Sequence, residues 1–311
     1  MKPLLLADDL RTTTPIDQNR TRLIRAWARY FAEALGAPLR AATVLESDES
    51  AWEQNMLHGS VSKLLARARV RENEEGKLEA VASKIGAHPL FMVGSPVDQL
   101  SKIARPSKFQ MMVIGTHGRT GIKRLFLGSV AEEVVRRAEI PTCVLGPKLQ
   151  ELGTMPARSK KHNVLVAVDF GRGSASAEKF AINLAKQLDA KITLVHCAYQ
   201  GQDPMLQMAL NTPDGHRAVG KLFEELNRSV AQQMKKKVAK IQAAGIECRG
   251  VIDHKSVFAY RAVENAITRE KATLVVTGTH GRTLLGQAFF GSTARQTILR
   301  SPVPVIVVRS R

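Results

Sequence analysis

Two short glycine-rich segments have residue types and spacings that could bind phosphate. The hexapeptide Gly-Thr-His-Gly-Arg-Thr at 115–120 recurs 163 residues later at 278–283, and a Gly-Ser pair stands ten residues beyond the second glycine of each copy, at 128–129 and 291–292. Glycine lets the backbone turn tightly and approach a ligand without a Cβ in the way. Free N–H groups at the start of the next helix then favour an anion. The sequence therefore predicts a phosphate cradle in each copy.

Other phosphate-binding loops do not fit these segments. A Walker A loop needs Lys and then Ser or Thr directly after its last glycine, whereas Gly121 is followed by Ile122 and Gly286 by a glutamine. The Rossmann pattern Gly-x-Gly-x-x-Gly is absent. His117 and His280 lie inside the loops. We assign them a positional or hydrogen-bonding role, because no nucleophile or paired carboxylates accompany them.

The serines after the loops have two interpretations, which stay open at the level of sequence. Ser129 begins a capping box that ends at Glu132, and the equivalent box in the second copy runs from Thr293 to Gln296. The hydroxyl of Ser129 or Ser292 would then cap the helix, or it would bind phosphate directly.

The elements around the glycines also repeat. The opening strands of the two halves align, 4–9 with 164–169, and a proline-containing apolar run closes each half at 140–145 and 302–308. Between them, short apolar runs alternate with segments of helical periodicity. This alternation predicts βαβ units with parallel strands. The expected fold class is therefore α/β, with two tandem doubly wound domains.

The boundary between the halves falls where apolar periodicity stops. The segment 147–162 contains Gly153, Pro156 and several basic residues, a composition typical of a connection. We predict a first domain over 1–148, a linker over 149–162 and a second domain over 163–311.

The composition is that of a folded protein. Of the 311 residues, 44% are hydrophobic and 24% are charged. Asp8 and Asp9 interrupt the N-terminal apolar run too early for a signal peptide, and no stretch of about 18 apolar residues predicts a membrane span. Cys143, Cys197 and Cys248 lack metal-ligand spacing. We expect three reduced, buried thiols, no metal site, no membrane partner and a cytoplasmic location.

The excess of positive charge has two interpretations. The 46 Lys and Arg residues against 28 Asp and Glu residues give a net charge of +18, which could attract nucleic acid or another polyanion. However, the basic residues are scattered, and a content of 5% aromatic residues leaves little on which exposed bases could stack. We expect mainly solvated helix faces and keep nucleic acid as an open partner.

The long glycine pattern resembles that of a known family. Gly-x-x-Gly, nine residues and Gly-Ser form the nucleotide-binding signature of the universal stress protein family, and both copies match it, at 115–129 and 278–292. The strand Val-Leu-Val-Ala-Val-Asp-Phe at 164–170 is similar to that family as well. The resemblance implies two five-stranded parallel sheets of strand order 3-2-1-4-5. It also implies adenine nucleotide as ligand, ATP or else ADP or AMP, with Mg²⁺ as an accompanying ion.

The resemblance assigns an implied role to residues at equivalent positions of both halves. Carboxylates after the first strand would meet the ribose, and backbone near the end of the second strand would flank adenine. The fourth strand would run into the cradle, and the glycine loop with the following helix start would meet the phosphates. In the first half these residues are Asp9, Val44, Ile114, Gly115, Gly118, Gly128, Ser129 and Val130. In the second half they are Asp169, Cys197, Thr277, Gly278, Gly281, Gly291, Ser292 and Thr293.

Each half departs from the family pattern at a different edge. After Asp9 the family often has Gly-Ser, but this chain has Leu10 and Arg11, so the rim of the first site is expected to differ. The first half keeps a family-like Gly-Ser-Pro at 94–96, where the second half has Asp-His-Lys at 253–255.

The expected function is binding rather than turnover. The resemblance implies a protein that binds ATP, hydrolyses it very slowly or not at all, and couples adenine nucleotide to a stress response through an unidentified protein partner. Two alternatives stay open. One is a basic scaffold for nucleic acid or acidic partners with vestigial pockets, and the other is an adenine-nucleotide hydrolase-like enzyme.

The last strands suggest how the halves associate. The segments 142–145 and 303–308 are apolar and expected at sheet edges, which proteins normally cover. Since single-domain relatives of the family dimerise, we predict an intramolecular pseudo-dimer through these strands. A further homodimer of the whole chain is an additional expectation.

Overall fold

The computed structural model describes the chain in seven stretches, which are 1–10, 14–46, 61–116, 127–156, 161–198, 213–279 and 291–309. Internal packing divides the chain into two compact units, Met1–Ser159 and Lys160–Arg311. Each unit is described by itself.

The described part of the first unit alternates strands and helices. In chain order these are β1 (Leu4–Ala7), α1 (Pro15–Ala34), β2 (Leu39–Leu45), α2 (Val61–Ile85), β3 (Ala87–Val93), α3 (Pro96–Ile103), β4 (Met111–Gly115), α4 (Ser129–Arg137), β5 (Thr142–Leu145) and α5 (Pro147–Leu152). Its strands are parallel and lie in the order β3-β2-β1-β4-β5.

The second unit repeats this plan. Its elements are β6 (Asn163–Ala167), α6 (Arg172–Leu188), β7 (Lys191–Cys197), α7 (Pro213–Ala243), β8 (Cys248–Asp253), α8 (Ala259–Arg269), β9 (Leu274–Gly278), α9 (Ser292–Arg300) and β10 (Val305–Val308). Its parallel strands lie in the order β8-β7-β6-β9-β10. Both units therefore confirm the predicted fold class and the strand order 3-2-1-4-5. The predicted pairing of the last strands as a pseudo-dimer stays a prediction.

The central strands are apolar on both faces, which requires helices on both sides. Leu4, Leu5 and Leu6 of β1 and Met112 and Val113 of β4 are fully buried. Helices α1 and α2 contact each other, as do α3 and α4, consistent with one pair on each face of the sheet. The doubly wound arrangement follows from this two-sided burial.

Local signals explain where α1 begins. Thr14 has an extended backbone, its side chain accepts a hydrogen bond from Asp17 N at 3.1 Å, and Pro15 is the first helical residue. Leu23, Ile24, Trp27 and other residues at helical spacing then turn one face of α1 toward the sheet and are buried.

The segment predicted as a linker begins with ordered structure. Helix α5 covers its first residues, and Leu149 is fully buried. The Trp27 Nε1 donates a hydrogen bond to the Thr154 carbonyl at 3.0 Å. The part of this segment up to Thr154 therefore packs on the first unit. Among the helices that the structure describes, none has the length and apolar character of a membrane span.

The contact between α7 and β8 yields a test of packing in the second unit. A Cβ added at Gly250 of β8 would lie 2.7 Å from the Met234 Sδ and closer still to its Cγ. We expect Gly250→Ala to lower the free energy of unfolding by about 1–3 kcal/mol, because the core there has no room. Urea denaturation measures this change in the free energy of unfolding.

Two matched variants control this experiment. Gly220→Ala adds the same methyl group in α7, where nothing lies within 4 Å of the new Cβ. It should raise stability by about 0.5–1 kcal/mol through helix propensity. Combining Gly250→Ala with Met234→Ala should remove the clash. An unchanged stability for Gly250→Ala alone would contradict this view of the contact.

Candidate functional site

The first unit holds a cavity where its central strands end. The cavity lies at the carboxyl ends of β1, β2 and β4, beside the start of α4, and has a volume of about 480 Å³. This is the crevice that doubly wound sheets leave where the strand order reverses. The volume falls within the range of about 300–1,000 Å³ that is typical of small-molecule pockets.

Most of the residues implied for the first site meet in this cavity. Its walls include Asp9, Val44, Ile114, Gly115 and Val130. Gly128 and Ser129 directly precede Val130 at the start of α4 but do not themselves line the cavity. Gly118 lies outside the described residues, as do His117, Arg119 and Thr120.

The second unit has a smaller cavity at the equivalent place. Its volume is about 220 Å³, which is below the usual range for small-molecule pockets. The residues of the implied set that line it are Asp169, Cys197, Thr277, Gly278, Gly291, Ser292 and Thr293. Gly281 and His280 lie outside the described residues.

The helix starts at both cavities have the same geometry. Gly128 caps α4 with φ −59° and ψ 139°, and Gly291 caps α9 with φ −59° and ψ 138°. Neither helix has a side-chain hydrogen bond at its cap. The first-turn N–H groups are therefore not used by a capping side chain, and together with the helix dipole they favour an anion.

The predicted capping boxes are therefore wrong. A box needs Ser129 or Thr293 to lie before the helix with an extended backbone. Helix α4 instead begins at Ser129, and α9 begins at Ser292, one residue earlier than the predicted cap. The glycine that precedes each serine takes the cap position.

An ion pair that the sequence did not reveal includes a residue that lines the first cavity, Asp8. Asp8, directly before Asp9, is buried, with 2% of its side chain exposed. The Arg25 Nε donates to the Asp8 Oδ2 at 2.5 Å, and the Arg25 Nη2 donates to the Oδ1 at 3.1 Å. The Asp8 Oδ1 also accepts a hydrogen bond from Leu10 N at 2.9 Å. The only available signal was the doubled aspartate itself.

The turn after β1 is strained in both units. Leu10 has φ +57°, and Phe170, its equivalent in the second unit, has φ +61°. A left-handed backbone costs a non-glycine residue about 1–2 kcal/mol, so each turn must be held by other contacts. In the second unit Asp169 itself does this, since its Oδ1 accepts a hydrogen bond from Gly171 N at 2.8 Å.

Further parts of the first cavity come from elements far from the glycines. Glu74 and Lys77 of α2 and Phe91 of β3 line its outer end, and the Lys77 Nζ lies 2.7 Å from the Glu74 Oε1. Thr21 of α1 lines it as well. Sequence reasoning missed these residues because they belong to no local motif and are brought to the cavity by the order of the strands.

The turn between β8 and α8 contacts Cys197, a residue that lines the second cavity. Asp253 Oδ1 accepts hydrogen bonds from Lys255 N at 2.8 Å and Ser256 N at 2.7 Å, and the Ser256 hydroxyl donates to Oδ2 at 3.0 Å. The Cys197 Sγ donates to the Ser256 carbonyl at 3.2 Å. Burial would raise the pKa of Asp253, but these hydrogen bonds, together with Arg269, lower it overall. The Asp-His-Lys departure thus forms an ordered turn against Cys197.

The three cysteines differ in environment. Cys143 and Cys248 are buried, as predicted, and burial raises the pKa of the Cys248 thiol to about 12. Cys197 is half-buried and lines the second cavity, so the prediction of a buried thiol is wrong there. All three are free thiols. Within the described stretches, no group of three or more His, Cys, Asp and Glu side chains could hold a metal ion.

Comparison with known proteins identifies the duplicated unit. A sequence profile of the universal stress protein family matches two regions, 15–146 and 161–309. A universal stress protein of Mycobacterium tuberculosis is 25% identical over 293 residues, which cover 91% of each chain. Another from that organism is 28% identical over 256 residues, covering 80% of this chain and 74% of the relative.

A shorter relative and a solved structure agree with this match. A universal stress protein of Methanocaldococcus jannaschii is 33% identical over 88 residues, which span about half, 53%, of its length and 28% of this chain. The crystal structure of a universal stress protein from Archaeoglobus fulgidus superposes with a TM-score of 0.63 at 19% identity. It covers 99% of this chain and 98% of its own, and it supports the fold.

The lowered pKa of Asp253 leads to a pH-dependent prediction. A carboxylate whose pKa is lower in the folded state stabilises the fold above its unfolded pKa, and this contribution is lost as the pH falls through the folded value. At pH 7 we expect Asp253→Asn to lower the free energy of unfolding by about 1–2 kcal/mol. The difference from the parent protein should shrink below about pH 4.

Urea denaturation at pH 7 and below about pH 4 tests this expectation. Asp189→Asn is the control, because Asp189 occupies a left-handed position, φ +48°, that asparagine also tolerates. It should change stability by less than about 0.5 kcal/mol. An equal loss for Asp253→Asn at neutral and acidic pH would show that the charged turn is not responsible.

Proposed function

Because the chain belongs to the universal stress protein family, we propose that it binds adenine nucleotide, ATP or else ADP or AMP, in the cavity of its first unit. The observation that carries this proposal is the cavity of about 480 Å³, at the carboxyl ends of β1, β2 and β4, that adjoins a glycine-capped helix start. A nucleotide needs an anion site and a mainly apolar base site in one continuous space.

The charges around the cavity give the nucleotide a direction. Asp8, Asp9, Glu46 and Glu74 line it from the walls formed by β1, β2 and α2, whereas Val130 belongs to the first turn of α4. Carboxylates on these walls disfavour phosphate there and can accept hydrogen bonds from hydroxyl or amino groups, and two of them, Asp8 and Glu74, also pair with Arg25 and Lys77. The phosphates would therefore lie at the start of α4, with the ribose near Asp9 and adenine near the backbone of Val44.

The second cavity is proposed as a weaker site. It presents the same glycine-capped helix start, at Gly291, but has less than half the volume of the first cavity. A nucleotide could reach the anion end there while its base met less space. We therefore propose that the first cavity fills at lower nucleotide concentration than the second.

Binding rather than rapid turnover is the proposed activity. The sequence between Gly115 and Ser129 lacks the Walker lysine and its adjacent hydroxyl, which phosphoryl-transfer enzymes use to hold nucleotide and Mg²⁺. Occupancy of the cavity would then report the adenine nucleotide level to a protein partner in a stress response. Mg²⁺ would bind together with the nucleotide phosphates.

One observation favours a second candidate function. The net charge of +18 and the exposed Lys235, Lys236 and Lys240 on α7 would attract a polyanion such as nucleic acid. Such binding would weaken steeply with added salt and would not need the cavities. Retention on heparin or DNA that is unchanged by nucleotide would favour this basic scaffold function.

A carboxylate introduced at each helix start tests the nucleotide sites separately. Asp is favourable in the first turn of a helix, so Val130→Asp should leave α4 intact while it repels phosphate. We expect Val130→Asp to weaken ATP binding by about tenfold or more, which is about 1.4 kcal/mol. Calorimetry at up to millimolar ATP measures this, and the effect should decrease from ATP to AMP.

Two variants complete this design. Thr293→Asp is the equivalent change at the second cavity and should affect the weaker site alone. Val130→Asn introduces a side chain of nearly the same shape as aspartate but without its charge. This variant should keep most of the affinity for ATP. The proposal fails if the parent protein binds neither ATP nor ADP at millimolar concentration.

Turnover is tested on the purified full chain. We expect ATP hydrolysis to fall far below the enzyme median of about 10 per second, because the cradle lacks the Walker lysine and an assigned general base. Phosphate release is the measurement, with His117→Ala and His280→Ala as variants. Hydrolysis near the median rate that disappears in either variant would instead support the hydrolase-like alternative.

A further inference from the structure

A carboxylate accepts a backbone hydrogen bond in the turn after the first strand of each unit. In the second unit Asp169, the implied ribose ligand, accepts the turn hydrogen bond from Gly171 N at 2.8 Å. In the first unit the turn hydrogen bond from Leu10 N goes to Asp8, one residue before the implied ribose ligand Asp9. Asp8 is thus an additional carboxylate at this turn of the first unit, at a position where the second unit has Val168.

Arg25 fixes the carboxylate that holds the first turn. Its guanidinium makes two hydrogen bonds to Asp8, at 2.5 and 3.1 Å, and 17% of the Arg25 side chain is exposed. A bidentate contact of this kind sets the orientation of both groups. Arg25 also follows Ile24 and lies one helical turn after Thr21, both of which line the first cavity. The ion pair therefore connects the turn to the cavity face of α1.

The second unit has no equivalent of this pair at the same positions. Helices α1 and α6 both end with a hydrogen bond between residues five apart, from Ala37 N to the Ala32 carbonyl and from Ala190 N to the Ala185 carbonyl. When the helices are aligned at these bonds, Arg25 corresponds to Glu178. Glu178 pairs with Lys237 of α7 at 2.5 Å. The position of Asp8 is occupied by Val168, which is buried and whose carbonyl contacts the His196 Nδ1 at 2.8 Å. The Asp8–Arg25 pair is thus a feature of the first cavity.

We propose that Arg25 is a positioning residue of the first cavity, which acts through Asp8 to present the Asp9 carboxylate to the ribose hydroxyls of a bound nucleotide. This inference rests on the proposed nucleotide binding. Asp9 is exposed and lines the cavity between the two residues that the ion pair and the turn hydrogen bond hold in place. Arg25 itself does not line the cavity.

The test compares ATP with its 2′-deoxy and 3′-deoxy analogues on the full chain carrying Thr293→Asp, so that the first cavity dominates. The ratio of the affinities for ATP and for each analogue, measured in the parent and in Asp9→Asn, defines how much the ribose hydroxyls contribute to binding. In Arg25→Met we expect ATP binding to weaken by about tenfold, the size of one hydrogen bond to a charged group. The deoxy analogue that the parent binds more weakly should change in affinity by less than about twofold in Arg25→Met. The protein would then no longer distinguish ATP from that analogue, as expected for Asp9→Asn.

Further variants separate positioning from folding. Arg25→Met leaves Asp8 buried and unpaired, so the double variant Asp8→Asn with Arg25→Met provides a neutral pair that can still accept the Leu10 hydrogen bond. It should show the same loss of discrimination. Arg25→Lys should restore part of it. Glu178→Gln, the matched change in the second unit, should leave all three affinities unchanged.

Three results would overturn the proposal. Arg25→Met and the neutral pair could weaken ATP and both analogues by one common factor, which indicates a purely structural role. They could leave all affinities unchanged in folded protein. The parent could bind ATP without distinguishing either analogue, which removes the ribose contact itself. Failure of the proposed function is a separate result, because the parent would then not bind ATP at all.

Discussion

Burial of the central strands on both faces is the constraint on which the rest of each unit depends. Leu4, Leu5 and Leu6 in the first unit and Val164, Leu165 and Val166 in the second are fully buried. Such strands must be covered by helices on two sides, and the helical crossovers make the strands parallel. Parallel strands end at the same edge of the sheet. The strand order reverses between β1 and β4, or β6 and β9, and the cavity opens there because the adjacent crossovers leave on opposite faces.

The two copies share one end of this cavity and differ at the other. Gly128 and Gly291 cap their helices with nearly identical backbone angles, so the anion end has been kept in both units. The walls that would surround ribose and base have diverged. In the first unit Asp8 and Arg25 hold the turn, and the cavity extends to α2 and β3. In the second unit Asp169 holds the turn itself.

This divergence accounts for two cavities of unequal volume in a duplicated scaffold. The backbone amides of a helix start are independent of side-chain identity, so the anion end tolerates sequence change. The ribose and base walls are made of side chains, which substitutions alter directly. The Asp253 turn, which contacts Cys197 through Ser256, is one such difference beside the second cavity.

The sequence by itself determined the fold class and the duplication, and its resemblance to a known family supplied the strand order. Apolar runs, helical periodicity and the spacing of Gly115, Gly128 and Ser129 are local patterns, and local patterns are set by backbone geometry. The capping boxes failed because glycine and serine both suit a helix cap, and the chain around them decides which one occupies it.

The tertiary structure alone decided the rest of the site. Arg25 lies 17 residues from Asp8, and Glu74 and Phe91 are more distant still, so no spacing rule connects them. They meet because strand order and helix packing bring distant segments to one edge of the sheet. Likewise, Asp9 and Asp169 align in sequence, but the buried Asp8 beside Asp9 accepts a further turn hydrogen bond, from Leu10 N, at a position where the second unit has Val168. The next helix presents Arg25 as the partner of Asp8, which no sequence pattern revealed.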